Sequence, residues 1–265
     1  MANEISGFSE AELDKFETFR TIVECLRGKD GCPWDRGQTH ESLKKYLVEE
    51  SYEVLEAIDR ADMPALGEEL GDLWLQIMLH SQIARESGEF SLEDVLRSIN
   101  TKMIKRHPHV FGGKEIADSE EASLSWQEIK EKEKDGSQSL LSGIPASLPA
   151  LAYSQTVGRR VAAVGFDWER PGDIMDKLVE EIEELKGAAT PEERNHEFGD
   201  VLLVLASVAR RMDIDLESAL RQANARFTRR FQYIEGICRG RGLELRGMKL
   251  VEMDAIWEEA KREVG

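Results

Sequence analysis

Leu43–Ile58 reads LKKYLVEESYEVLEAI, and this stretch decides the fold. Leu43, Leu47, Val54 and Ile58 recur at helical spacing, which predicts an apolar stripe on a helix from about Thr39 to Asp59. Glu50 stands inside that stripe, and Glu53 lies one turn further along its edge. A carboxylate facing a core is costly unless it is paired or coordinates a metal. The anomaly returns downstream, where Ile174, Leu178 and Leu185 form a stripe that Glu181 interrupts, with Glu184 one turn on.

The recurrence extends well beyond that helix. Leu47-Val48-Glu49-Glu50 returns as Leu178-Val179-Glu180-Glu181 at an offset of 131, and Glu69-Leu70-Gly71-Asp72 as Glu197-Phe198-Gly199-Asp200 at 128. Asn100, Lys102 and Arg106 correspond to Asn224, Arg226 and Arg230 at 124, and Trp126 and Lys130 to Trp257 and Lys261 at 131. Offsets that drift by a few residues are what loop-length changes produce in a duplicated module. The fold expected is therefore all-α, with two tandem copies of one helical module over residues 1–134 and 150–265. A Gly-, Ser- and Pro-rich linker over 135–149 (DGSQSLLSGIPASLP) joins them.

Helices are predicted in the first copy after a Ser9/Glu12 capping box as far as Gly28, then over 39–59, 64–85 and 92–107, with a charged one near 119–134. In the second they are predicted near 148–161, 173–186, 191–211, 216–238 and 249–262. No stretch alternates clearly enough to predict a strand.

In each copy the helix after the interrupted stripe supplies two more acids three residues apart, Glu69 with Asp72 and Glu197 with Asp200. The short connection makes the two helices antiparallel neighbours, so four carboxylates converge between them. Oxygen-only ligands suit a hard cation such as Mg²⁺ or Mn²⁺. No histidine follows any of these glutamates in the Glu-x-x-His spacing of a di-iron bundle. One E-E-x-x-E on a helix is ordinarily a solvated face; finding the whole arrangement twice argues otherwise.

Composition narrows the function. Acids outnumber bases 52 to 35 in 265 residues, a formal net charge of -17, whose field disfavours long nucleic acid. Cys25, Cys32 and Cys238 form no C-x-x-C, as expected of free thiols in a cytoplasmic protein. The longest apolar run, Val201–Ala209, is too short to span a bilayer. Between Arg221 and Lys249 the charge reverses, with eight bases against two acids. Arg226 and Arg230 share a helix face just after Asn224, and Trp257 and Lys261 lie one turn apart. Such bases either pair with acids of their own module or form a cationic wall for a polyphosphate. The Trp residues are either core or base-stacking platforms. His107-Pro108-His109 reads as a helix end, because nothing nearby completes a zinc set.

The E-E-x-x-E helix followed by E-x-x-D resembles the MazG family of all-α nucleoside triphosphate pyrophosphohydrolases. So do Gly31-Cys32-Pro33-Trp34-Asp35, Arg106-His107-Pro108-His109-Val110-Phe111, Gly165-Phe166-Asp167-Trp168 and the stretch from Asn224 to Phe231. The resemblance implies Mg²⁺ held by Glu181, Glu184, Glu197 and Asp200, and by Glu50, Glu53, Glu69 and Asp72. It implies conversion of a nucleoside triphosphate and water to the monophosphate and pyrophosphate, with Glu180 and Glu49 orienting the water. Asn224, Arg226, Arg230, Trp257 and Lys261 become substrate-binding candidates, with Lys102 and Arg106 in the first copy. Arg226 stands where the family often has Lys. The resemblance also implies a homodimer whose helices pack into bundles across subunits. The alternative is a nucleotide- or protein-binding regulator with structural or vestigial metal sites.

Overall fold

Helices form where caps and apolar periodicity coincide. The computed structural model describes residues 4–5, 8–113, 115–119, 121–122, 125–126, 129 and 139–265. The chain separates into two compact units, Met1–Asp135 and Gly136–Gly265. Residues 135–138 of the expected linker, most of the expected helix near 119–134, and Lys130 lie outside the described residues. Residues 139–149 contain turns without a helix or strand.

The first unit contains α1 (Phe16–Arg27), a single-turn α2 (Pro33–Arg36), α3 (His40–Asp59), α4 (Met63–Ser87), α5 (Leu92–Arg106) and a short α6 (Pro108–Phe111). Two expectations need correction. The Ser9/Glu12 capping box does form, with the Glu12 carboxylate accepting from the Ser9 N–H at 3.0 Å. It closes only a 3-10 turn, Glu10–Glu12, and the helix proper starts at Phe16. A two-residue antiparallel pairing, Glu4–Ile5 with Phe8–Ser9, also stands where no strand is expected; it is too short to show alternation.

Thr39 caps α3 by accepting the Ser42 N–H at 3.1 Å, and Asp62 caps α4 by accepting that of Ala65 at 3.1 Å. The residues between these two helices make a tight turn in which Ala61 takes a left-handed φ of 54°, so α4 folds back along α3. The core sits where both meet α1 and α5: Val23, Leu43, Met78, Leu79 and Leu92 are buried together, with Phe16, Phe19 and Tyr46 packed around them. Fully burying a leucine such as Leu43 or Leu79 contributes about 2 kcal/mol. Arg27 ties the layers. It bonds Glu86 of α4 at 2.7 Å and donates to the carbonyl of Gln38 at 3.2 Å. Gly31 of the Gly-Cys-Pro-Trp-Asp motif packs so closely on the end of α1 that a Cβ would stand 2.2 Å from the Cys25 carbonyl oxygen. This motif's glycine therefore has a structural reason.

The second unit contains α7 (Ala150–Ala162), α8 (Pro171–Gly187), α9 (Pro191–Arg211), α10 (Leu216–Arg241) and α11 (Leu250–Glu263). Helix α8 packs along α9, α7 packs on α9 and α10, and α10 pairs with α11. Ile234, Cys238 and Ile256 form the α10–α11 core. Thr190 caps α9 and shares a reciprocal bond with Glu193, the counterpart of the Asp62 cap.

The Gly-Phe-Asp-Trp segment serves the scaffold. Asp167 accepts from Arg210 at 2.6 Å and lies 3.3 Å from Arg211, clamping the last turn of α9. Burial pushes the Asp167 carboxyl up, but the two guanidinium groups outweigh it and hold the pKa below the ordinary 3.8. The stabilisation is thus present above pH 3.8 and is lost as pH falls through the lower folded value. Asp167→Asn leaves two partly buried guanidiniums without their counter-charge. It is expected to cost about 2 kcal/mol, below the fully buried range because the pair is partly wet. Urea unfolding at pH 7 measures this, and an unchanged midpoint would refute the clamp.

Candidate metal centre

Helical spacing aims the acids of each hairpin at one another. In the first unit, Glu50 and Glu53 from α3 and Glu69 from α4 each offer a carboxylate oxygen, and the three atoms lie within 4.8 Å of one another. In the second, Glu181 and Glu184 from α8 and Glu197 from α9 do the same. Asp200 joins Glu197 and His196 in a further group on α9. Asp72 is not in the first unit's trio, although its charge acts on Glu50.

These carboxylates crowd. Burial, a hydrogen bond with Glu53, and the charges of Asp72, Glu53 and Glu49 all raise the Glu50 carboxyl above its ordinary 4.5. Burial and the charges of Glu53, Glu68, Asp72 and Glu56 raise Glu69 likewise. Ionising them in the folded unit costs stability that grows as pH rises from 4.5 through their folded values. A divalent cation reverses that sign, since its charge favours the ionised form. The donor set therefore fits a hard cation.

The second centre is wired differently. Glu181 is only 5% exposed, which makes it the most deeply placed acid of either set. Lys177, one turn earlier on α8, reaches Glu181 at 2.8 Å and Glu180 at 2.7 Å, and both bonds raise the lysine pKa. At offset 131 the first unit has Tyr46 in place of this lysine. Glu49 and Glu180 are exposed beside the trios.

The bases gather on the other helix pair. Arg230 of α10 stacks 5.6 Å from the Trp257 ring of α11 and donates to the Gly265 carbonyl at 3.2 Å. Phe227 packs on the same ring at 5.1 Å. Lys261 pairs with Glu258 at 2.5 Å, while Asn224 and Arg226 are exposed on α10. The first unit repeats the stack, with Arg106 5.3 Å from the Trp126 ring, and Lys102 is exposed on α5. Arg230 and Lys261 therefore have partners within their own helix pair. At the end of α5, the His107 Nδ1 meets the Met103 carbonyl at 2.7 Å, the helix-end role its sequence suggested.

Two residues near the trios went unnoticed in the sequence. Lys177 and His196 both sit at repeat positions where the first copy has a different chemical type, Tyr46 and Glu68. Aligning the copies position by position would have found them.

Comparison with known proteins follows the same lines. Residues 38–111 match the MazG nucleotide pyrophosphohydrolase domain family. The chain is 45% identical over 248 residues to the nucleoside triphosphate pyrophosphohydrolase/pyrophosphatase MazG of Thermotoga maritima, covering 93% of this chain and 95% of that one. It is 39% identical over 259 residues to the nucleoside triphosphate pyrophosphohydrolase of Escherichia coli K12, covering 95% and 98%. It is also 46% identical over 252 residues to the uncharacterized protein YabN of Bacillus subtilis, covering 93% of this chain and 52% of that longer one.

Proposed function

We propose, from the premise that this chain belongs to the MazG family of nucleotide pyrophosphohydrolases and is a hydrolase, that it cleaves nucleoside triphosphates at the α-phosphorus. The products are a nucleoside monophosphate and pyrophosphate. The observation that carries this reading is the carboxylate trio, built from two adjacent helices in both units.

Glu50, Glu53, Glu69 and Asp72 would hold Mg²⁺ in the first unit, and Glu181, Glu184, Glu197 and Asp200 in the second, with Mn²⁺ able to replace it. When bound, the ion supplies Lewis-acid chemistry and neutralises charge on the triphosphate. The remaining work falls to the chain. Glu49 and Glu180 orient the attacking water from the rim of each trio, and Lys177 fixes the position of Glu180. Arg226, Arg230 and Lys261 hold the outer phosphates in the second unit, and Lys102 and Arg106 do so in the first, since phosphoryl transfer needs chiefly positioning and charge stabilisation. Stacking on Trp257 orients the Arg230 guanidinium before substrate arrives. Asn224 completes the set on α10.

The working form is a homodimer. Apolar residues stand open at matching positions of both copies: Val48 and Val179 are 54% and 60% exposed, and Leu70 and Phe198 are 49% and 55% exposed. A solvated face of that kind, repeated at the same register, is a surface that association covers. Among the described residues no helix is long and apolar enough to cross a membrane.

Phosphorus NMR of the products, after incubation with ATP or dTTP with and without Mg²⁺, tests the reading. Monophosphate and pyrophosphate are expected only with the metal. Diphosphate and orthophosphate would place the attack at the wrong phosphorus. An absence of turnover across the common triphosphates would favour a nucleotide-binding regulator.

A further inference from the structure

We propose that His196 is a nitrogen ligand of the second unit's metal centre, so that the two centres of one chain differ in cation preference. Both accept Mg²⁺, but the second binds first-row transition cations more favourably, relative to Mg²⁺, than the first does. The inference rests on the carboxylate-metal reading above and assigns to one side chain a role that reading does not include.

Register supplies the first argument. Aligning Glu69 with Glu197 puts Glu68 opposite His196, and aligning Glu50 with Glu181 puts Tyr46 opposite Lys177. Each exchange makes the second centre less negative. A carboxylate whose charge acts on Glu69 gives way to an imidazole, and an ammonium is bonded to Glu181 at 2.8 Å. Hard Mg²⁺ depends on anionic oxygen and loses most from both changes, whereas imidazole nitrogen favours the transition ions.

Geometry supplies the second. His196, Glu197 and Asp200 share one edge of α9, because residues three and four apart are neighbours on a helix. His196 Nδ1 lies 3.1 Å from Asp200 Oδ2 and 3.7 Å from Glu197 Oε1. This ion pair holds the imidazole nitrogen beside a carboxylate that the proposed centre uses. Glu197 belongs both to this group and to the trio with Glu181 and Glu184. An ion beside His196 therefore shares a carboxylate with the main cluster and lies within the same centre. The His196 ring is exposed, so it is free to turn onto an ion without disturbing a core.

The test is pulsed electron paramagnetic resonance on the full-length protein loaded with Mn²⁺. Nitrogen-14 modulation is expected in the wild type and should vanish in His196→Gln. In competition titrations, His196→Glu should lower the Mn²⁺-over-Mg²⁺ preference of one site about tenfold, by exchanging the imidazole for a carboxylate. Mn²⁺ bound without nitrogen modulation, or modulation that persists in His196→Gln, would overturn the assignment and leave the carboxylate centres standing. Failure to bind Mn²⁺ at all would remove the carboxylate-metal reading, and this inference with it.

Discussion

Replacing Glu53 and Glu184 together with alanine is expected to abolish turnover while leaving helix content unchanged. Each residue supplies one of three carboxylates whose oxygens lie within 4.8 Å, and each is the exposed member of its trio. Truncation therefore opens no cavity in a core. In the first unit it relieves strain, because the charge of Glu53 and its hydrogen bond help to hold the Glu50 proton above the ordinary range. The Glu50 carboxyl should move back toward 4.5 in the Glu53→Ala variant, and the folded unit should lose none of its stability near neutral pH. What is removed is charge that, in the proposed reaction, holds a cation against a triphosphate. Losing one such preorganised group costs about a hundredfold to a thousandfold in rate, so the unit that does the chemistry falls to background. The single variants divide the work: the one that silences the protein identifies the active unit, and equal halving assigns activity to both. Steady-state release of pyrophosphate, with far-ultraviolet circular dichroism as the control, makes the measurement. Full activity in the double variant would remove the carboxylate-metal assignment.

Placing glutamate at both Val48 and Val179 should convert the proposed homodimer to monomer. Each valine is more than half exposed in its own unit, so the isolated chain accepts the change at little cost. Across a dimer interface four positions change at once. Each loses about 1.5–3 kcal/mol of apolar burial, and a buried, unpaired carboxylate adds to that. The sum, roughly 8 kcal/mol or more, equals the difference between a nanomolar and a millimolar dissociation constant. Val48 and Val179 lie two residues before Glu50 and Glu181, about half a turn away on the helix, so each trio keeps its ligands. Light scattering coupled to size exclusion reads the mass directly. A wild-type monomer, or a double variant that stays dimeric, would refute the association.

Much of this architecture is local, and local features are legible. Helix boundaries fell within a few residues of their caps: Thr39 and Asp62 begin α3 and α4, and Thr190 begins α9. The apolar stripe of α3 was harder. Leu43 is fully buried, yet Leu47 and Ile58 are open, because one end of the stripe meets α1 and α5 while the rest forms a face that its own unit does not cover. Periodicity shows that a face is apolar without showing what lies against it.

The sequence by itself determined most of the described helices and the convergence of Glu50, Glu53 and Glu69, and of Glu181, Glu184 and Glu197. Spacing along a helix sets a side chain's direction about its own axis, and a three-residue turn leaves the next helix almost no choice but to fold back. Only the tertiary structure decided where the charges find partners. It attached Asp167 to Arg210 and Arg211, turned Arg230 onto Trp257, gave Lys177 to the buried Glu181 and brought His196 to Asp200. A long charged side chain reaches several neighbours at similar cost. The choice among them follows from which helices pack together and how much water remains between them, and neither is written in the spacing of one helix.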